Sequence, residues 1–391
     1  MTADVIVIGG GVIGSAATYN LTKRGLRVIQ LERDYFSSGA SGACDQMVIP
    51  QSKTPNEHLS LALYSVELYK RLSEELGRDV EYVRKGALIL IENEQERETM
   101  AGIVEKQNAL GLPTRMISTQ EAMRMQPGLN PDAIVGAVYG DVDGEVNPFK
   151  MNLAFTDRAK EMGAVVRTGE AVQEILIRSG KVCGVKTGKD TYYAPVVVNA
   201  AGAWAPVVGA MAGLSIPIKP RRGQVFITET MPPFVHKCVL NARYIVAKHH
   251  PETLKNDHSL KAKLGVGIAL TQSRKGNILF GGTREFVGYD TQNSVDGIME
   301  AAKNAIHLVP GLKHMKLIRL MGGVRPYPPD SKPLIGYVNQ LEGFFMAAGH
   351  EGDGICLAPA SGKLVADLIM DGVTDVPAAA SFDPNRFNLS K

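Results

Sequence analysis

The chain of 391 residues is long enough for two domains, or for one large domain with a smaller one inserted into it. Hydrophobic residues make up 45% of it and charged residues 21%, which is typical of a soluble globular protein. The net charge of +3, without a basic run that carries interleaved aromatic residues, argues against a nucleic-acid partner. A small molecule is therefore the expected ligand.

Cysteines and histidines are scattered along the chain without metal-ligand spacing. The four cysteines form no C-x-x-C pair, which argues against iron–sulfur and structural zinc sites and favours reduced thiols in a cytoplasmic protein. Residues 141–144, Asp-Val-Asp-Gly, superficially suggest a calcium loop, but the remaining ligands of that motif are missing. We therefore predict no metal site.

Two segments bear on membrane association. Residues 1–4 have no basic region and lead directly into an apolar strand, so we predict no signal peptide. Residues 196–218 are uncharged and long enough for a membrane span, but glycines, prolines and an asparagine interrupt them. That composition favours a buried strand, a turn and a short helix. We predict a cytoplasmic protein without a membrane span.

The N-terminal segment carries a dinucleotide-binding pattern. The apolar run 5–8 is typical of a strand buried on both faces, and Gly9, Gly11 and Gly14 follow it in G-x-G-x-x-G spacing. The first glycine permits a tight turn, the second lets the backbone approach a pyrophosphate, and the third lets the next helix pack on the strand. That helix, predicted over 12–23, would bind phosphate at its N-terminus.

An acidic residue ends the second strand, which is predicted over 27–31. Glu32 lies about twenty residues beyond the turn, where an acid accepts hydrogen bonds from a ribose 2′-hydroxyl and disfavours a 2′-phosphate. The nucleotide is therefore predicted to be FAD or NAD rather than NADP. Residues 33–46 are mostly small and polar, which suits either a backbone lying against a flat ligand or a flexible surface loop.

Helical and strand patterns alternate through the rest of the chain. Helices are predicted over 56–76, 94–110, a short stretch from 118, 149–162, 296–307 and 357–370. Strands are predicted over 82–92, 165–166, 172–177, 181–187, 191–193, a stretch from 196, 224–228, 244–247, 266–270, 278–281 and 343–348. The meander of short strands after residue 219 indicates an antiparallel sheet outside the nucleotide domain.

Two later strands also lead into glycine turns. They are residues 196–204, Val-Val-Val-Asn-Ala-Ala-Gly-Ala-Trp, and residues 343–354, in which a strand precedes Gly-His-Glu-Gly-Asp-Gly. The long helix after the second turn would point its N-terminus at a ligand. A dehydrogenase that binds only NAD would not need these two additional turns.

Five ordered motifs resemble the D-amino-acid oxidase family of FAD enzymes, which includes glycine oxidase and sarcosine oxidase. They are the opening glycine motif with Glu32, residues 197–204, residues 220–224, residues 323–336 and residues 349–354. The resemblance spans almost the whole chain. It implies an α/β fold in which a Rossmann-like FAD-binding domain of the GR2 type carries an inserted antiparallel-sheet α+β substrate domain.

The resemblance also implies domain boundaries and cofactor contacts. The FAD-binding domain would comprise residues 1–80, 145–218 and 320–391, and the substrate domain residues 81–144 and 219–319. FAD would be bound non-covalently, because Pro-Tyr-Pro-Pro stands where some relatives attach it to a cysteine. The expected contacts are Gly9, Gly11, Val12, Ile13, Gly14, Glu32, Arg33, Ser38, Gly39, Ala40, Ser41, Gln46, Met47, Val172, Ala200, Ala201, Gly202, Trp204, Gly223, Arg325, Gly349, Gly352, Asp353, Gly354 and Ile355.

Two residues are catalytic candidates by the same resemblance. Arg325 matches the arginine that binds the substrate carboxylate in amino-acid oxidases, which a guanidinium does bidentately, although it could instead be structural or contact the flavin. His350 would lie at the flavin and tune its potential, or serve only in packing. Asp353 departs from the family pattern and receives no firm role. No acid–base pair is required, because orientation of a neutral amine can supply most of the catalysis.

The resemblance implies an enzyme that oxidises the C–N bond of a small amino or imino acid by hydride transfer to flavin N5. Residues 276–286 and the turn at 349–354 are most similar to FAD-bearing subunits of heteromeric proline, hydroxyproline or opine dehydrogenases and hydrogen cyanide synthase. Electrons would then pass to partner subunits, with FMN possible at a subunit interface near residues 249–258. The alternatives are a self-sufficient oxidase that releases hydrogen peroxide and a non-catalytic FAD-binding subunit.

Overall fold

The computed structural model describes residues 1–249 and 257–390. Its strands are β1 (Val5–Ile8), β2 (Val28–Leu31), β3 (Met47–Val48), β4 (Val83–Arg84), β5 (Ala87–Ile91), β6 (Thr114–Ile117), β7 (Gly136–Gly140), β8 (Gly144–Glu145), β9 (Val165–Arg167), β10 (Val172–Arg178), β11 (Lys181–Thr187), β12 (Thr191–Tyr193), β13 (Val196–Asn199), β14 (Lys219–Thr230), β15 (Cys238–Asn241), β16 (Ala269–Gln272), β17 (Asn277–Gly281), β18 (Leu317–Tyr327), β19 (Leu334–Tyr337) and β20 (Phe344–Ala348). Its helices are α1 (Val12–Lys23), α2 (Glu57–Leu76), α3 (Glu94–Ala109), α4 (Thr119–Met125), α5 (Pro148–Glu161), α6 (Ala205–Met211), α7 (Ala242–His249), α8 (Leu260–Lys263), α9 (Val295–Leu308) and α10 (Gly354–Met370).

A six-stranded sheet carries the N-terminal strand at its centre. Its order is β19-β20-β13-β1-β2-β9, and all neighbours are parallel except the pair β19 and β20. Strand β1 is fully buried, as an apolar strand covered on both faces must be. Helices α1, α2, α5 and α10 cover one face, and the three-stranded sheet β10-β11-β12 with α6 covers the other.

The second large sheet of the protein has eight strands. Its order is β18-β14-β17-β16-β15-β5-β7-β6, and its pairs are antiparallel except for β15 with β5. Strands β14 and β18 pair over almost their whole length, with Arg221 opposite Arg325 and Gly223 opposite Gly323. The mixed α/β fold with a Rossmann-like parallel sheet and additional antiparallel sheets confirms the predicted fold class.

The helix ends follow local sequence signals. Asn56 caps α2 by accepting a hydrogen bond from the His58 N–H, and Gly77 ends that helix with a left-handed φ of 66°. Pro148 lies in the first turn of α5, where its missing N–H costs nothing. These signals explain why most predicted helices agree with the structure to within a few residues.

One predicted strand is wrong. Residues 244–247 belong to helix α7, in which Ala242, Ile245 and Val246 are buried at i, i+3 and i+4 spacing. A short apolar run does not distinguish a strand from one face of a helix, and tertiary burial decides between them. The strand predicted over 266–270 begins three residues later, as β16. Just before it, the Ile268 N–H donates to the side chain of Asn241 instead of to a neighbouring strand.

The domain boundaries remain a prediction. The small sheet β3-β8-β4 joins residues assigned to different domains, and β18 begins three residues before the expected boundary at 320. The proposed interface loop falls partly on residues 250–256, which lie outside the described residues. Within the described ranges, no helix is long and apolar enough to cross a membrane.

Candidate cofactor and substrate site

One cavity gathers most of the predicted site residues at the carboxyl ends of the central parallel strands. Its lining includes Gly9, Gly11, Val12, Ile13, Glu32, Arg33, Ser38, Gly39, Ala40, Ser41, Val172, Ala200, Ala201, Gly202, Trp204, Arg325, Gly349, His350, Gly352, Gly354 and Ile355. The carboxyl edge is where open α/β sheets bind ligands. Gly14, Gln46, Met47, Gly223 and Asp353 were also predicted to contact the cofactor but do not line this cavity.

Close backbone packing forms the first glycine turn. Gly9 has a φ of 119°, and a Cβ there would lie 2.5 Å from the Ala200 carbonyl oxygen. A Cβ on Gly14 would lie 2.2 Å from the carbonyl oxygen of Gly9. Gly14 therefore serves the contact between α1 and the turn, which explains why it does not reach the cavity.

The acid at the end of β2 is held by backbone amides. One carboxylate oxygen of Glu32 accepts from the Gly10 N–H at 2.6 Å, and the other accepts from the Asp34 N–H at 2.8 Å. The side chain is almost completely buried but still borders the cavity. This is the position where the sequence predicts a ribose hydroxyl.

An aromatic stack lies at the same end of the cavity as Glu32. The Arg33 guanidinium lies 4.0 Å from the centre of the Trp204 ring, and Tyr289 stacks on that ring with centroids 5.5 Å apart. The Tyr289 hydroxyl donates to the Ala203 carbonyl at 3.2 Å. Tyr289 comes from the turn before α9, so a segment far from Trp204 in the sequence supports the Trp204 ring. No local pattern in the sequence predicts a role for Tyr289.

Arg325 lies at the end of the cavity opposite to Glu32. Its Nη1 donates to the Thr283 carbonyl at 3.0 Å, and no carboxylate among residues 1–249 and 257–390 forms an ion pair with it. A Cβ on Gly223 would lie 2.4 Å from its Nη2. Gly223 therefore makes room for the guanidinium across the β14–β18 pair. The remaining N–H groups of Arg325 suit an anionic ligand.

Tyr244 joins Arg325 at this end and was missed because its segment was predicted as a strand. It lines the cavity from α7, and the Arg284 guanidinium lies 3.3 Å from its ring centre. A Cβ on Gly352 would lie 3.4 Å from Nε of Arg325 and 3.9 Å from the Tyr244 hydroxyl. A helix, a strand and the third glycine turn therefore converge here. Asp45 also borders the cavity, and burial raises the pKa of its carboxyl group although Arg325 opposes this.

His350 is a buried neutral imidazole. Only 3% of it is exposed, and its Nε2 lies 2.9 Å from the Ser361 Oγ on α10. Burial lowers its pKa to about 3, with only partial opposition from Asp353. The ring is therefore uncharged at neutral pH and links the turn to the helix.

Asp353 faces away from the cavity into a buried polar cluster. Its carboxylate lies 2.8 Å from the Lys53 Nζ and 3.4 Å from the His58 Nε2. The same ammonium donates to the Ile49 carbonyl at 2.9 Å and to the Ser52 Oγ at 2.8 Å. This cluster anchors the start of α10.

Gln46 and Met47 lie just past the cavity wall. Gln46 has a φ of 68° and its carbonyl accepts from the Val146 N–H at 2.9 Å, while Met47 begins β3. Both residues shape the chain behind the wall. No group of three or more histidine, cysteine or acidic side chains within the described ranges could hold a metal ion.

The residues present fit FAD. Two helices, α1 and α10, begin at the cavity, and no N–H of either helix donates to the side chain of its own N-cap residue. In α1 the Val12 N–H donates to the Ser41 Oγ at 3.0 Å, and the other first-turn N–H groups of the two helices are suited to phosphate and to the electron-rich edge of a flavin. The cavity runs from Glu32, at the ribose position, to Arg325, as an extended dinucleotide requires.

Comparison with known proteins agrees with this geometry. The chain is 33% identical over 398 residues to glycine oxidase from Geobacillus kaustophilus, covering 99% of this chain and 97% of the relative. It is 28% identical to hydrogen cyanide synthase subunit HcnC of Pseudomonas aeruginosa over 410 residues, covering 94% and 92%. The structure of L-proline dehydrogenase from P. horikoshii matches with a TM-score of 0.88 and 32% identity, covering 99% and 98%.

The family model for FAD-dependent oxidoreductases of the DAO type matches residues 4–368. This confirms the predicted enzyme class and FAD as the cofactor. The chain belongs to the DAO family of FAD-dependent oxidoreductases.

Proposed function

We propose that this chain is a dehydrogenase that oxidises the C–N bond of a small amino or imino acid and passes the electrons to partner subunits. The substrate assignment depends on one observation. The guanidinium of Arg325 borders the cavity and forms no ion pair within the described ranges. Arginine binds carboxylates bidentately, so it suits the carboxylate of an amino acid. The names of the relatives, which include a glycine oxidase and an L-proline dehydrogenase, support the same class.

The chain's own residues would hold FAD at the two ends of the cavity. Gly9, Gly11 and the start of α1 would receive the pyrophosphate, Glu32 the ribose, and the start of α10 the flavin. When bound, FAD supplies the hydride acceptor. Cavity walls from both sheets would keep water from the reacting carbon.

Substrate orientation is the proposed source of catalysis. Arg325 would bind the carboxylate, and Tyr244, next to the same glycine turn, would lie within reach of it. His350 is buried and neutral and bonds to Ser361, so it is suited to fixing the turn rather than to taking a proton. We therefore propose no dedicated general base, and positioning of the α-carbon supplies most of the rate.

Two candidate functions, a dehydrogenase and an oxidase, differ in the acceptor to which the flavin passes its electrons. Resemblance to subunits of heteromeric enzymes favours a cytoplasmic dehydrogenase that works with partner subunits and holds FMN at a subunit interface. The match to a glycine oxidase over nearly the whole chain favours an oxidase that needs no partner. Rapid formation of hydrogen peroxide by the isolated chain would support the oxidase.

The test is anaerobic titration of the FAD-loaded chain with D- and L-proline, hydroxyproline, sarcosine, glycine and opines. Bleaching of the flavin absorbance by one class identifies the substrate. We expect Arg325→Met to raise the half-saturating concentration about 100-fold or more, because a charged hydrogen-bonding partner is lost. The control is Arg319→Met, on the same strand but exposed. Failure of every amino acid to bleach the flavin would contradict the proposal.

A further inference from the structure

Glu351 has a backbone conformation that a residue with a side chain rarely adopts. Its φ is 50°, in the left-handed region, within a turn where Gly349 has a φ of 85°. Glycine would adopt this conformation without strain, whereas other residues pay about 1 kcal/mol or more. A strained residue that borders a ligand cavity indicates that its side chain serves a function there.

The backbone places Glu351 next to Arg325. The Glu351 N–H donates to the carbonyl of Pro326 at 3.0 Å, and the following residue, Gly352, lies against the Arg325 side chain. Both Glu351 and Arg325 border the cavity. The charges of Glu351 and Arg325 therefore interact at the substrate end of the cavity without forming a direct ion pair among the described residues.

Arg221 fixes the carboxylate of Glu351. Its Nη2 donates to one oxygen of Glu351, and its guanidinium lies 4.4 Å from the centre of the Tyr327 ring. Only 2% of the Glu351 side chain is exposed. An ion pair in such a setting limits the movement of the carboxylate. The Glu351 side chain is thus held in place as a hydrogen-bond acceptor beside the cavity.

We propose that Glu351 determines specificity by accepting a hydrogen bond from the ammonium or iminium-forming nitrogen of the substrate while Arg325 binds its carboxylate. The two charges of an α-amino or imino acid are separated by one carbon, which matches an acid and a guanidinium on adjacent backbone segments. The ligand class is therefore a zwitterion, and a carboxylate without an amine binds less tightly. This inference rests on the proposed function of the site.

The experiment compares each amino acid with its amine-free analogue on the FAD-loaded chain. The pairs are proline with cyclopentanecarboxylate and glycine with acetate, and binding is followed by perturbation or bleaching of the flavin spectrum. Glu351→Gln keeps the side-chain shape and removes the charge. We expect it to weaken binding of the amino acid about 10- to 100-fold and to change binding of the analogue by less than about threefold. Arg325→Met should weaken both.

A matched control is Glu285→Gln. Glu285 is also buried and pairs with the neighbouring arginine, Arg222, at 2.8 Å, but it does not line the cavity. Its substitution should lower the melting temperature and leave the preference for the amino acid unchanged. Equal weakening of both ligands by Glu351→Gln, or no weakening, would overturn the inference.

The outcome remains informative if no amino acid reduces the flavin. The proposed function then fails, but spectral perturbation still measures whether each amino acid binds more tightly than its analogue. Loss of that preference in Glu351→Gln would support the inference. Absence of any preference in the unsubstituted protein would overturn it.

Discussion

The two ends of the cavity are built in different ways. At the nucleotide end, backbone groups of the turns after β1 and β13 pack together, with Gly9 against Ala200. At the substrate end, side chains converge from distant elements, with Tyr244 on α7, Arg325 on β18 and Glu351 in the last glycine turn. Local sequence fixes a backbone turn, whereas sheet register fixes a convergence of side chains. Cofactor binding and substrate binding should therefore be separable by mutation.

The largest effect is expected at the nucleotide end. In Gly14→Ala the new methyl group would lie 2.2 Å from the Gly9 carbonyl oxygen, so helix and turn must separate. We expect the purified protein to lose FAD, measured as the ratio of flavin to protein absorbance. Gly102→Ala is the matched control, because Gly102 also lies in a helix and nothing lies within 4 Å of its Cβ position. Full FAD content in Gly14→Ala would contradict this account.

The next effect separates the two ends. In Gly223→Ala the methyl group would lie 2.4 Å from Nη2 of Arg325 and would displace the guanidinium. We expect the KM for the amino acid to rise about 10- to 100-fold while FAD content stays unchanged. Steady-state kinetics and the flavin spectrum measure both quantities. Loss of FAD together with activity would show that Gly223 serves the cofactor, as the sequence alone predicts.

The link between turn and helix should be visible as a pH dependence of stability. His350 has a pKa of about 3 when folded and about 6.5 when unfolded, so between these values the unfolded state binds more protons. Stability should therefore fall as the pH drops below about 6.5, by up to ~1.4 kcal/mol per pH unit from this residue. Thermal unfolding of His350→Gln should show a shallower slope between pH 4 and 6.5. His314→Gln, at an exposed site, should keep the original slope.

The smallest effect concerns the aromatic wall at the nucleotide end. Trp204 is the single tryptophan of the chain, so its fluorescence reports directly on FAD binding. Tyr289→Leu removes the ring that stacks on Trp204 and should raise the Kd for FAD about 3- to 10-fold, as expected for an aromatic pair. Tyr193→Leu, an exposed tyrosine away from the cavity, is the control. An unchanged Kd would show that the stack does not support the cofactor.

The sequence predicts more of the nucleotide end of the cavity than of the substrate end. The structure brings Gly9, Gly11, Glu32 and most residues of the two later turns to one cavity, because each turn directly follows a strand of the parallel sheet. Tyr244 was missed, since a short apolar run was assigned to a strand. Gly223 was given a cofactor contact, but the register of β14 and β18 places it under Arg325.

The sequence by itself determined the family, the FAD-binding fold and the backbone of the nucleotide end. These depend on the spacing of glycines and on apolar strands, which are local properties of the chain. Only the tertiary structure decided which side chains share the substrate end and how their charges are paired. Arg221 bonds to Glu351 and Arg222 to Glu285, and successive residues of a strand point to opposite faces. Sequence spacing predicts that alternation, but only the packing shows that Glu351 borders the cavity and that Glu285 does not.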